Sequence, residues 1–353
     1  MTTTVCRCDV SVASVLPDGD ARWMDTLNDP RSQPTLAHAP EWLHVIRDVY
    51  DHEPLYLSAE DRAGGRAVLP AFIVRRPLGG AVITSMPYLD SGGPCGPSSS
   101  VAALLVESLI DQARKIAARS IELRSVEPLR IGVPAKTHKV NMTLELPSNA
   151  GALWQRADKA VRNQVRKAER EGITIEAGGV DLLPAFYDVF AARMRDLGSP
   201  VHARRFLGAV VEAFGTRARI VLARRGGLTI GGLIAIRFKD RLTVPWAACL
   251  ERYFPLCPNM LLYWDTLRTA CAEDVRHFDF GRSTRGSGTY RFKRQWGAAE
   301  EQLYWYTIPL RPASRESRGA VERGGEFAAK AWRRLPLAIT RQLGPHIRKY
   351  LTQ

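Results

Sequence analysis

Behind the short apolar stretch FDFG (278–281) stand five basic residues, Arg282, Arg285, Arg291, Lys293 and Arg294. They are set among Gly286, Gly288 and Gly297 and three aromatics, Tyr290, Phe292 and Trp296. Such a run reads either as a solvated turn or as a cradle for an anion. A fixed cation or hydrogen-bond donor at such a place would stabilise negative charge on a bound group. On a strand Asp279 points opposite to Phe278 and Phe280, either as a base facing a cleft or as the partner of an arginine such as Arg282. Arg282 and Ser283 emerge where that strand ends, the usual mouth of an α/β site, as candidate phosphate or carboxylate contacts. Tyr290, Arg291 and Arg294 offer further donors, and Phe292 and Trp296 would anchor the loop.

A second basic set precedes it. Lys159, Arg162, Arg166 and Arg170 recur at helical spacing in GALWQRADKAVRNQVRKAEREG (151–172), which predicts one helix ending at Gly172. The stripe suits tRNA phosphates or a pyrophosphate-bearing precursor, or it is a solvated helix face.

Around these residues the chain alternates strands and helices. LYLSAE (55–60), RAVLPAFIVRR (66–76) and GAVITSM (80–86) predict strands, followed by a helix at 101–120 and strands at 121–127 and 137–147. After the 151–172 helix come the strand ITIEA, helices over 181–197 and 203–214, and three strands across 217–250. A helix at 260–275, the strand RHFDFG and a last strand at 300–310 follow. Asn259, just before the 260–275 helix, reads as its N-cap. Shifting the first half by 157 positions lays Leu104-Leu105 on Leu261-Leu262, Ala113 on Ala270 and Ile121-Glu122-Leu123 on Phe278-Asp279-Phe280. A duplicated helix–strand unit explains both this echo and the 353-residue length.

The composition is that of a protein with a real core, 45% apolar and 24% charged. No apolar run approaches the ~20 residues of a membrane span, and the N-terminus makes a poor signal peptide. Six scattered cysteines, with no CxxC pair, read as reduced thiols in a cytoplasmic protein. Cys6 and Cys8 alone make no metal site. The net charge of +14 favours anionic partners. From Arg311 onward ten basic residues face three acidic ones, so half the excess lies in a tail. There Trp332, Leu335, Leu337, Ile339, Leu343, Ile347 and Tyr350 mix with arginines. The tail reads as an interfacial segment on an anionic leaflet or as a piece docked on the protein's own surface.

The order of strand hairpin, helix, FDFG and then GTYRFKRQWG resembles the Fem peptidyltransferases (FemA, FemB, FemX), over nearly the whole chain. Further resemblances lie in the basic helix KAVRNQVRKAEREG and the loop SMPYLDSGGPCGP. The tail WRRLPLAITRQLGPHIRKYL resembles that of a branch associated with exosortase/PEP-CTERM and exopolysaccharide loci. The resemblance implies an α/β (α+β) fold of two tandem GNAT-like domains, mixed sheets flanked by helices, at 1–148 and 149–310, with a basic C-terminal tail at 311–353. It implies an aminoacyl-tRNA donor, no resident cofactor, and an envelope precursor, peptidoglycan or exopolysaccharide, as acceptor; the alternatives are an acyl-CoA-dependent N-acetyltransferase and a non-catalytic basic binding module at the membrane. Lys293 matches a functional lysine of that family, and holding the acyl carbonyl or a nearby phosphate is its implied role. Tyr88 and Asp90 fall on a loop that faces the site in that family, with Asp90 the candidate general base. Arg195 and Trp246 resemble substrate contacts, although Arg195 also suits a helix C-terminus and Trp246 a core. Asn259 lies where the wider superfamily holds its donor. Acetyl-CoA-dependent members cradle pyrophosphate with a QxxGxG/A-type loop. Here that connection, LERYFPLCPNM (250–260), has no glycine and two prolines, which argues against acyl-CoA as donor.

Overall fold

The structure is a computed structural model and describes residues 5–7, 10–77, 80–311 and 315–352. Two compact units emerge. Unit 1 comprises Met1–Lys139, Gln302–Arg315 and Tyr350–Gln353, and unit 2 comprises Val140–Glu301 and Glu316–Lys349.

In chain order the first half contains β1 (Val5–Arg7), β2 (Val10–Ser14), α1 (Ala21–Asn28), α2 (Trp42–Tyr50), β3 (Glu53–Pro54) and β4 (Leu57–Asp61). It continues with β5 (Arg66–Leu69), β6 (Phe72–Arg75), β7 (Ala81–Thr84), α3 (Ser99–Lys115) and β8 (Ser120–Ser125). The second half runs β9 (Lys139–Glu145), α4 (Ala150–Arg156), α5 (Lys159–Arg170), β10 (Ile173–Gly178), α6 (Leu183–Asp196) and α7 (Arg204–Phe214). Then come β11 (Ala218–Arg225), β12 (Leu228–Phe238), β13 (Arg241–Cys249), α8 (Pro258–Ala272), β14 (His277–Thr284) and α9 (Gly288–Arg294). The chain closes with β15 (Ala299–Gln302), β16 (Tyr304–Pro309), α10 (Arg315–Arg334) and α11 (Leu337–Arg348).

Unit 1 builds two sheets, β1-β2-β4-β5 and β16-β8-β7-β6-β3, and unit 2 is built on one, β10-β11-β12-β13-β14-β9-β15. Strands and helices thus form mixed sheets flanked by helices. Two predicted strands prove to be pairs. RAVLPAFIVRR breaks after Leu69 because Pro70 has no N–H to give a ladder, and its halves enter different sheets. The 300–310 strand breaks at Leu303, sending β15 to unit 2's sheet and β16 to β8. The predicted 151–172 helix is likewise two, because Ala157 and Asp158 are extended between α4 and α5.

The 157-residue echo is a topological repeat. In each half a helix joins two parallel strands, α3 joining β7 to β8 and α8 joining β13 to β14. Ile83 pairs with Ile121 and Thr84 with Glu122 in one unit, and Leu242 pairs with Phe278 and Thr243 with Asp279 in the other. Glu122 and Asp279 therefore hold the same place in the two sheets. Each unit has its own core. Ile83, Leu105, Leu109, Ile121 and Leu123 pack together in unit 1, and Val161, Val165, Leu242, Leu267, Phe278 and Phe280 in unit 2.

Candidate active site

The parallel pair in unit 2 is bonded only over Arg241–Thr243 and His277–Asp279. Beyond that register β13 runs on to Cys249 and β14 to Thr284, so the two strands part and leave a mouth at their C-terminal ends. Gly281 is why β14 can leave. Its φ of 75° is a left-handed value that other residues reach only at a cost, and its N–H is taken by Asp279 Oδ1 at 2.7 Å.

Lys293 secures the far side of that bend. Its side chain is buried, and Nζ donates to the Gly281 and Arg282 carbonyls, each at 2.8 Å. The basic run that contains it is not an open loop. Residues 288–294 form α9, capped by Ser287, whose Oγ accepts from the Tyr290 N–H at 3.2 Å. Arg285 pairs with Glu300 at 2.8 Å, Arg294 approaches the same carboxylate at 3.8 Å, and Tyr290 donates its hydroxyl to it. Arg291 turns back to the Gly286 carbonyl at 2.7 Å. Much of the charge is thus met locally, by the Glu300 carboxylate and a backbone carbonyl.

Asp279 sits at the last paired position, the floor of the mouth, on the sheet face opposite Phe278 and Phe280. Its charged neighbours are Arg241, 4.0 Å away, and Glu301, which Arg241 bonds at 3.2 Å. Arg241 also donates to Thr143 Oγ1 at 3.0 Å, and Asn141 reaches Glu301 at 3.4 Å. Burial raises the Asp279 pKa against the pull of Arg241 and the Gly281 N–H. At Glu301 burial is outweighed by the charge and hydrogen bonds of Arg241, so its pKa falls. One carboxyl is thereby made a better base than its neighbour, a division of roles seen in acid–base sites. Past the bend, Ser283 is buried and its Oγ finds no hydrogen-bond partner among the described residues.

The other expected residues of unit 2 make contacts of their own. Arg162 donates to the Trp154 and Gln155 carbonyls, closing the end of α4, and Arg166 lies 5.7 Å over the Trp154 ring. Arg195 pairs with its neighbour Asp196 at 2.7 Å at the end of α6. Trp246 is a core residue, edge-on to Phe206 and His202. Asn259 does not cap α8. Cys257, in a left-handed conformation, takes that place with Pro258 next, and Asn259 Oδ1 instead accepts the Cys249 thiol.

In unit 1 Tyr88 is buried, left-handed at φ 73°, with its hydroxyl 2.7 Å from His52 Nε2. The backbone carbonyl of Asp90 accepts the Trp305 indole N–H at 3.2 Å. The place equivalent to the unit 2 mouth holds Arg124, fully buried and donating to the Leu89 carbonyl at 2.6 Å and to that of Thr352. Thr352 also takes the Tyr88 N–H at 3.0 Å and gives its hydroxyl to Glu122 at 2.6 Å. Sequence reasoning passed over Arg241, Glu301 and Arg124, and only the repeat, which equates Glu122 with Asp279, pointed toward them. Cys95, Cys249, Cys257 and Cys271 are free thiols. Cys8 lies outside the described residues, as does the side chain of Cys6.

A separate open depression of about 720 Å³ is lined by Arg217, Arg219, Arg237, Lys239 and Glu273. Glu273 follows the C-terminus of α8, whereas the mouth faces its N-terminus, so the two stand roughly 22 Å apart by helix rise. None of the basic run from Arg282 to Arg294 lines it.

Residues 155–294 match the acetyltransferase (GNAT) domain family. No curated protein matches in sequence. The fold is similar to that of FemX, at TM-score 0.62 and 12% identity over 83% of this chain and 96% of that one. It is also similar to the C-terminal domain of a protein assigned as a lysylphosphatidylglycerol synthetase from Agrobacterium fabrum, at 0.56 and 14% over 85% and 94%. A tandem GNAT protein from the clavulanic acid biosynthesis pathway follows, at 0.52 and 11% over 87% and 100%. The chain has the Fem-like, tandem GNAT fold, and these findings support an acyltransferase. They do not speak to the exosortase-associated branch.

Proposed function

We propose that the protein transfers an aminoacyl group from aminoacyl-tRNA to an amine of a cell-envelope precursor, peptidoglycan or exopolysaccharide, at the mouth between β13 and β14. Asp279 is the base that takes the proton of the attacking amine and returns it to the ribose oxygen of the tRNA as the ester bond breaks and the amide bond forms; Arg282 and Ser283 contact the substrate, and Lys293 positions the bend that carries them. The raised pKa of Asp279 suits that task, since a carboxyl too acidic cannot accept a proton efficiently. Among similar folds, one is the C-terminal domain of a protein assigned as a lysylphosphatidylglycerol synthetase.

The observation that carries the choice of donor is the entry to α8. A pyrophosphate is held by backbone amides at a glycine turn and helix N-terminus. Here the connection is a 3₁₀ turn, Glu251–Leu256, containing Pro255, and α8 opens with Pro258, which has no amide hydrogen to offer. Glu251 adds a negative charge at this entrance, tied to Arg193 at 2.6 Å. That chemistry disfavours coenzyme A.

The test is label transfer by the purified protein into extracted envelope precursors, from tRNA charged with radiolabelled amino acids and, in parallel, from labelled acetyl-CoA. Label arriving from tRNA alone is the expected result. Label arriving only from acetyl-CoA would make the protein a CoA-dependent N-acetyltransferase and overturn the proposal.

A further inference from the structure

Helix α11 is docked by the side that usually faces water. Its buried residues are Thr340 and Gly344. Gly344 packs so closely on Val201 that an added Cβ would lie 3.0 Å from both its backbone nitrogen and a side-chain methyl. Polar pairs hold the same side down, Arg341 to Asp188 at 2.7 Å and Arg348 Nε to His202 Nε2 at 3.1 Å. Three large apolar residues of α11 meanwhile look outward. Ile339, Leu343 and Ile347 recur every fourth residue of α11, 41%, 46% and 40% exposed. On α10, Phe327 is 75% exposed. Five of the eleven exposed large apolar side chains among the described residues thus fall between Phe327 and Leu351. Scattered apolar residues need no explanation, but a helical row of them does.

We propose that this row is a membrane-contact surface, on which the tail lies flat against an anionic lipid leaflet. Charge selects lipid as the occupant. From Phe327 to the last residue there is no Asp or Glu, against six Lys and Arg. Arg341 and Arg348 hold the helix in place, while Lys330, Arg333 and Arg334 are exposed at the end of α10. A shallow apolar row in a segment that also exposes several cations is the pattern of an interfacial helix: the row enters the headgroup boundary and the cations meet phosphates. Among the described residues no helix is long and apolar enough to cross a membrane, so the contact is made from one side. The proposal is independent of the acyl donor and of the acceptor.

Sedimentation with vesicles tests it, using phosphatidylcholine alone and phosphatidylcholine with a quarter phosphatidylglycerol. The full chain is expected to bind the anionic vesicles, to bind neutral ones far less, and to be released by salt. The triple variant Ile339→Gln, Leu343→Gln, Ile347→Gln keeps the charge and the helix propensity, and should lose about tenfold or more in partitioning. Its circular dichroism and melting should stay those of the native chain. Lys330→Gln with Arg334→Gln should weaken binding to anionic vesicles only. Equal binding of the triple variant and the native chain would overturn the proposal. So would a native dimer that the triple variant converts to monomer, because the row would then be a protein interface.

Discussion

Replacing Lys293 by methionine separates two roles for the one buried lysine of the basic run. If its ammonium exists to hold the bend of β14, the substitution must cost stability. The native side chain makes two hydrogen bonds of 2.8 Å, to the Gly281 and Arg282 carbonyls, while itself being only 7% exposed. Hydrogen bonds involving a charged group contribute about 1.5–3 kcal/mol each, and carbonyls left buried without a partner add their own penalty. Against this, methionine removes the cost of keeping an ammonium out of water, which is several kcal/mol. The balance is a net loss of about 2–4 kcal/mol, or roughly 5–15 °C in the melting of a unit of this size. Thermal and urea denaturation of the native chain, Lys293→Met and the control Arg291→Met would measure it. Arg291 is exposed and bonds only the Gly286 carbonyl among the contacts described above, so its loss should stay within about 0.5 kcal/mol. A Lys293→Met protein that melts within about 2 °C of the native one would refute the reasoning. The ammonium would then be held for a reactant rather than for the strand.

Three further outcomes are expected. Asp279→Asn should be more stable than the native chain at neutral pH, because a folded pKa raised by burial means that stability is lost as pH rises through it; transfer activity should vanish, and a destabilised Asn variant would mark Asp279 as a structural ion-pair member instead. His202 and His38 are buried with lowered pKa values, by burial first and for His202 also by Arg348. The unfolded chain therefore gains protons below the ordinary value of 6.5 while the fold does not, and stability should fall with acidification by up to about 1.4 kcal/mol per pH unit for each ring. Urea midpoints that stay flat between about pH 7.5 and 5.5 would contradict this, and His202→Phe should remove part of the slope. Gly344→Leu should lift α11 from Val201 and expose the tail to proteolysis, with the cores of both units intact by melting.

The repeat was legible because helix-to-strand units carry strong periodicity, and Leu105, Ala113, Leu262 and Ala270 repeat it with the same spacing. The FDFG bend was legible as a glycine but not as a hinge, because nothing local says that a lysine twelve residues on will brace it. Pairing was the hidden part. Pro70 and Leu303 divide apparently continuous strands between sheets, and which sheet each half enters is decided by long-range ladders. The same holds for Arg241 and Glu301, which are 60 residues apart and meet across strands β13 and β15. The acid that pairs with the basic run, Glu300, lies beyond the motif on β15, and only the fold brings it to Arg285.

The exchange of outer strands bears on how the chain can be made. β8 pairs with β16, some 180 positions later, while β14 has β9, supplied early, as its outer neighbour. As the polypeptide leaves the ribosome, the first sheet keeps an open edge until Pro309 has emerged, by which point the second has all its strands. Synthesis order and order of completion are therefore reversed, and an unpaired edge of that kind invites association with other nascent chains. A gene cut near position 148 would yield an N-terminal fragment with its β8 edge bare and a C-terminal fragment lacking β9, so the halves should regain their folds together rather than singly.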